Sequence, residues 1–141
     1  MKKWILALCL AVVSLQAMAE IVITDATVRE MLPGRSMTAG YFSISNQTAS
    51  DIELVAATSS QFGSIELHQH SHKDGMMKME LMPSVPVAAG QKVDFQPGGL
   101  HLMLFDAKAS LTVGQKIPLV FVFKDGQSIE VQAVVSAIPT H

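Results

Sequence analysis

The chain has 141 residues, with ten Lys and Arg against twelve Asp and Glu and a formal charge of −2. That balance excludes a broad cationic face for nucleic acid or for an anionic membrane, and a single cysteine excludes an internal disulfide framework. The length suits one domain around one core.

From the N-terminus, Lys2 and Lys3 precede an apolar run from Trp4 to Leu15, which is followed by Gln16-Ala17-Met18-Ala19. This is the pattern of a secretory signal peptide with an Ala-x-Ala site, and cleavage is expected after Ala19. About a dozen apolar residues are too few to span a bilayer, so no stable membrane anchor is expected. Cys9 is poorly placed for lipidation, because it lies inside the apolar run with bulky Leu8 before it. Cleavage would remove Cys9 and leave residues 20–141 as a thiol-free periplasmic domain, held by its core alone.

That domain reads as short strands with no convincing helix: Ile21–Glu30, Thr38–Ser45, Ile52–Ala57, Ser64–His70, Met77–Met82, Lys92–Phe95, Leu100–Phe105, Ile117–Phe123 and Ser128–Val135. Val93 and Phe95 keep period two, as do Ile129, Val131 and Ala133. Turn residues separate the runs at Pro33-Gly34, Asn46–Ser50, Ala89-Gly90, Pro97-Gly98-Gly99 and Val113-Gly114. Asp125-Gly126 between two apolar runs is a hairpin signal. Strands at this spacing in an exported chain predict an all-β domain, a Greek-key β-sandwich or barrel.

Methionine and histidine are where the composition departs from an ordinary domain of that kind. Met76, Met77, Met79 and Met82 crowd into seven positions, although methionine fills strands less well than Val or Ile. Taken singly, Met76, Met77 and Met82 read as fillers of irregular core gaps. His68, His70 and His72 share period two, as do His101 and Met103, so each set would face one side of a strand. If the two segments meet, the donor types narrow the metal. Imidazole suits zinc, copper, iron and nickel, whereas a thioether selects a soft ion, chiefly Cu(I). Zinc centres use Cys, His and carboxylate, and calcium needs a ring of oxygens that Glu66, Asp74 and Glu80 do not provide. A blue-copper centre needs a thiolate, which residues 20–141 lack.

Ten residues separate His68 from Met79, twenty-one separate Met79 from His101, and one separates His101 from Met103. The pattern His-x10-Met-x21-His-x-Met resembles the ligand signature of the periplasmic copper chaperones called the PCu(A)C family. Flanking blocks agree: Ala26-Thr27-Val28-Arg29, Thr38-Ala39-Gly40-Tyr41-Phe42, Ile65-Glu66-Leu67-His68, Gly75-Met76-Met77-Lys78-Met79 and Pro97-Gly98-Gly99-Leu100-His101-Leu102-Met103-Leu104. The resemblance runs from Ile21 to Val135. It implies a cupredoxin-like fold and a Cu(I) site of His68, Met79, His101 and Met103. It also implies delivery of copper to the copper A centre of cytochrome c oxidase. Many members carry Met after the first His, where this chain has Gln69. His70 and His72 lie outside the signature, and are either a weaker second site for Cu(II) or part of a solvated loop.

The expected partner is a copper-receiving protein, either an oxidase subunit or a thiol-bearing assembly factor, and the chain is expected to act as a monomer. Release by ligand exchange fits a neutral donor set, since anionic thiolates hold Cu(I) more strongly. Sequestration without a dedicated recipient is the alternative. No paired carboxylates or Ser/His/Asp grouping points to an enzyme.

Overall fold

The computed structural model describes residues 20–139; the signal-peptide segment and Cys9 lie outside them. The described chain forms ten strands: β1 (Ile21–Arg29), β2 (Thr38–Asn46), β3 (Ile52–Thr58), β4 (Phe62–Lys73), β5 (Met76–Leu81), β6 (Val85–Val87), β7 (Lys92–Phe95), β8 (Leu100–Ala107), β9 (Lys116–Phe123) and β10 (Ser128–Ser136). All nine expected strands are present, β7 with the expected bounds and the other eight with shifted ends. The tenth, β6, has only three residues with Pro86 at its centre, which hides it from period-two patterning. One shift matters for function. β4 continues to Lys73, so His70 and His72 stand on a strand and not on a solvated loop.

The strands form one hydrogen-bonded mixed sheet in the order β5-β4-β8-β2-β1-β10-β9-β3-β6, with β7 pairing β2 beside β8. The expected sandwich is thus a single sheet folded over on itself. β1 with β10 is the one parallel pairing among the described residues, with Thr27 opposite Val134. β2 is the pivot, because its first half pairs with β8 and its second half with β7. Its burial alternates strictly, placing Thr38, Gly40, Phe42, Ile44 and Asn46 inside. A side chain at Gly40 would come within 3.1 Å of Leu104 Cδ1 and 3.3 Å of the Thr27 carbonyl, so its absence lets β8 close on β2.

The core draws from both ends of the strand order, with Leu54 of β3 and Leu67 of β4 in the same cluster as Phe42 and Phe121. Phe42 lies against Phe95 at 4.2 Å between ring centroids and against Phe121 at 4.4 Å. Burying rings of this size contributes about 2 kcal/mol or more each. Asn46 is buried but fully used: its amide donates to the Ser50 and Val87 carbonyls, and its oxygen accepts from Thr48 N and Oγ1. The polar cluster Asn46–Ser50 is therefore an ordered turn pinned from within. β8 differs from the other strands. Residues 101–104 are all buried, so both of its faces are covered. Leu102 and Leu104 belong to the core cluster, whereas Met103 is buried outside it.

Candidate metal centre

β4 runs between β8 and β5, and the register assigns a face to every residue. His68 pairs His101 and Glu66 pairs Met103 on one side, while His68 pairs Leu81, His70 pairs Met79 and His72 pairs Met77 on the other. Directly opposed residues in a sheet share a face, and so do residues two apart on one strand. Glu66, His68, His70, His72, Met77, Met79, His101 and Met103 therefore all project from one side of β5-β4-β8. That side is opposite the one carrying Leu67, Leu102 and Leu104 into the core.

Within this face the two imidazoles of the expected ligand set are locked in complementary tautomers. His68 Nε2 lies 2.7 Å from Glu66 Oε2, and a carboxylate only accepts, so the proton sits on Nε2. His101 Nδ1 lies 3.1 Å from the Gly99 carbonyl, which fixes its proton on Nδ1. The remaining nitrogens, His68 Nδ1 and His101 Nε2, bear lone pairs and are buried without a partner. An orphaned buried acceptor costs about 1–3 kcal/mol, and only one other buried side-chain polar atom among the described residues, Ser71 Oγ, is in that state. The two rings stand 5.8 Å apart between centroids. An imidazole whose N–H is held by a carboxylate or carbonyl while its other nitrogen stays open is the outer-shell arrangement of metal-binding histidines.

Electrostatics keep His101 ready. The residue is 3% exposed. Burial holds its imidazole below the usual histidine range, against the Gly99 hydrogen bond, which acts to raise it; positive charge on His70 or His68 would lower it further. His101 thus stays neutral, and able to bind a metal, to lower pH than a free histidine.

The thioethers are placed unequally. Met103 is 8% exposed, on the same strand as His101 and one diagonal step from His68. Met79 is 49% exposed on the edge strand β5, opposite His70. On a flat sheet this register would separate Met79 from Met103 by about 13 Å along the strands and about 10 Å across them. The structure therefore gathers His68, His101 and Met103, and leaves Met79 on a hairpin that must curl over the face to join them. His70 and His72 occupy the same hairpin, and the His70 ring lies 4.9 Å from that of His101. Two features went unread in the sequence. Glu66 appears there only as a stray oxygen donor, although its i, i+2 spacing from His68 marks it as a same-face neighbour. The Gly99 carbonyl carries no side-chain signal at all. Met82 does pack on the core as a filler, but Met76 and Met77 do not, being 63% and 61% exposed. Among the described residues, no three His, Cys, Asp or Glu side chains are grouped to hold a metal.

The profile of the family described as "Putative lipoprotein LpqE-like" matches residues 21–135. "Putative lipoprotein Lxx21020" of Leifsonia xyli subsp. xyli (strain CTCB07) is 36% identical over 96 residues, which is 67% of this chain and 58% of that protein. "Uncharacterized protein RP573" of Rickettsia prowazekii (strain Madrid E) is 35% identical over 91 residues, 64% of this chain and 50% of that one. The matches thus span 58% and 50% of the length of these curated relatives. Among solved structures, the Cu(I) form of DR1885 from Deinococcus radiodurans superposes with a TM-score of 0.68 at 29% identity, covering 87% of this chain and 81% of that one. The copper-bound PCuAC domain from PmoF2 gives 0.71 at 22% identity, covering 87% and 97%, and shares the fold, a cupredoxin-like arrangement of strands. With the profile spanning every strand but the end of β10, the chain belongs to the LpqE-like family of PCuAC domains.

Proposed function

We propose that this chain is a copper carrier of the cell envelope that holds Cu(I) through His68, Met79, His101 and Met103 and passes it on by ligand exchange. The observation that carries this reading is the pair of orphaned, buried nitrogens, His68 Nδ1 and His101 Nε2, side by side with Met103. Each imidazole has its proton fixed away from the open nitrogen, so an ion arriving there meets two oriented lone pairs and displaces no proton from them. The sulfur of Met103 makes the set soft, which favours Cu(I) over zinc. Met79 completes the set when the β4–β5 hairpin curls inward, and it leaves first because its strand is exposed on both faces.

The donors are neutral, so the bound ion keeps its positive charge, and a partner with thiolates would draw it away. The fitting recipient is a thiol-bearing assembly factor or the oxidase subunit that carries the copper A centre, with the protein taking no catalytic role. Export rests on the signal-peptide pattern of residues 1–19 and on the lipoprotein description shared by the family and one relative. Competition against a Cu(I) chelator tests the ligand set. Met79→Leu combined with Met103→Leu should abolish tight binding while the far-ultraviolet circular dichroism stays that of the wild type, and unchanged affinity would sink the assignment. Mixing the copper-loaded protein with the apo recipient tests delivery.

A further inference from the structure

We propose that His72 and Met77, backed by His70, form a second station for a soft monovalent ion, Cu(I), at the tip of the β4–β5 hairpin. Binding at this station stands independently of the function proposed above; only the destination of the ion rests on it. The local geometry begins at the turn. Asp74 and Gly75 both have positive φ (55° and 73°), as in the two-residue turn that joins strands in tight register. Lys73 then pairs Met76, and His72 pairs Met77. Met82 N donates to the Leu67 carbonyl at 2.8 Å, so hydrogen-bonded pairs fall at 67, 69, 71 and 73 of β4. His70–Met79 and His72–Met77 fall at the alternate positions, where opposed Cα atoms approach to about 4.5 Å and the side chains are closest. Each imidazole is thus set against a thioether.

The opposite face carries Lys73, Lys78 and Glu80, partnered in register with Met76, Ser71 and Gln69. Over the hairpin itself, beyond Glu66 and its His68 partner, the His/Met face carries no carboxylate or ammonium group, and its donors are nitrogen and sulfur. Packing does not explain these methionines, since every residue of β5 is exposed. Exposed, uncharged soft donors in alternating pairs suit capture of a soft cation from solution or from another protein. The route inward is short. His70 lies between the station and the buried pair, with its ring 4.9 Å from that of His101. An ion held by His72 and Met77 can take His70, release Met77, then take His101 and release His72. Each step makes one nitrogen–metal or sulfur–metal bond and breaks another; the ion remains monovalent, and no electron or proton is transferred.

Silver(I), which has no competing redox chemistry, is the probe. Native mass spectrometry of the purified protein should show two Ag(I) ions per chain, and two-dimensional NMR should show the Met77 and Met103 methyl signals both moving. His72→Ala with Met77→Leu should reduce the count to one and leave the Met103 shift intact. Both side chains are exposed, so the fold should survive, and circular dichroism verifies this. A wild type that binds a single ion, with Met103 moved and Met77 not, overturns the tip station while leaving the buried centre standing. Occupancy of the hairpin by Cu(II) but not by Ag(I) also overturns it, and the absence of any bound ion overturns both sites together.

Discussion

The His68–Glu66 contact carries more of the chemistry than its exposure suggests. Glu66 fixes which nitrogen of His68 is free, and its charge raises the basicity of that nitrogen toward a cation. Glu66→Ala should therefore weaken Cu(I) binding by roughly tenfold, the low end of the usual range for such outer-shell residues, because Glu66 is itself half-exposed. Glu66→Gln keeps an acceptor but loses the charge, and should recover part of the deficit. Chelator competition on the three proteins gives the ranking, and equal affinity in all three would show that Glu66 does not orient the ring. The proposed donors could be picked out in the sequence because donor type and spacing are properties of the sequence, and the structure brings His68, His101 and Met103 together but not Met79. The orienting groups could not be picked out, since which atom of Glu66 or Gly99 meets which nitrogen depends on rotamers and on a loop carbonyl.

The hairpin that carries Met77 and Met79 shows why strands can be read and their limits cannot. Buried strands such as β2 and β9 announce themselves, β2 by the alternation Phe42-Ser43-Ile44-Ser45 and β9 by a continuous apolar run from Leu119 to Phe123, because each must leave water on at least one face. β5 has no buried face, and β4 runs six positions past its last apolar residue, Leu67, the final three being Ser71, His72 and Lys73 beyond the expected end at His70. These are held in register by the turn, not by burial, and Asp74-Gly75 was the one cue available. Asp125-Gly126 did signal a real hairpin, although its loop has three residues: Gly126 N donates to the Phe123 carbonyl and Phe123 N to the Gln127 carbonyl. Gly75 sits at φ +73°, and a Cβ added there would meet nothing within 4 Å, so Ala there meets backbone strain alone, about 1 kcal/mol. Gly75→Ala should speed amide hydrogen exchange across Ser71–Lys78 several-fold and shift the melting temperature little, because the hairpin buries almost nothing. Unchanged exchange would mean that the turn does not hold the register.

For the molecule as a whole, the folded-over sheet puts the core and the proposed copper centre on opposite faces of the same strand. β8 presses Leu102 and Leu104 into the core and offers His101 and Met103 on its other side, so the rigidity of the core is passed directly to the centre. The arrangement ties the stability of the metal-free protein to pH. His101 has a folded-state pKa below the ordinary histidine value of 6.5, so over the interval between the two the unfolded chain binds more protons than the folded one. Stability then rises with pH across that interval: the contribution is complete above about 6.5 and is lost as pH falls toward the lower folded value. Urea unfolding of the metal-free protein should give a midpoint that drops between pH 7 and pH 5, and His101→Gln should flatten that part of the curve. Cu(I) adds to stability in proportion to its affinity, and it binds only neutral imidazoles. The gain in melting temperature on copper loading should accordingly shrink as the solution is acidified. A gain equally large in His101→Gln would exclude His101 from the copper shell, because Nε2 is the atom through which that ring would hold the ion.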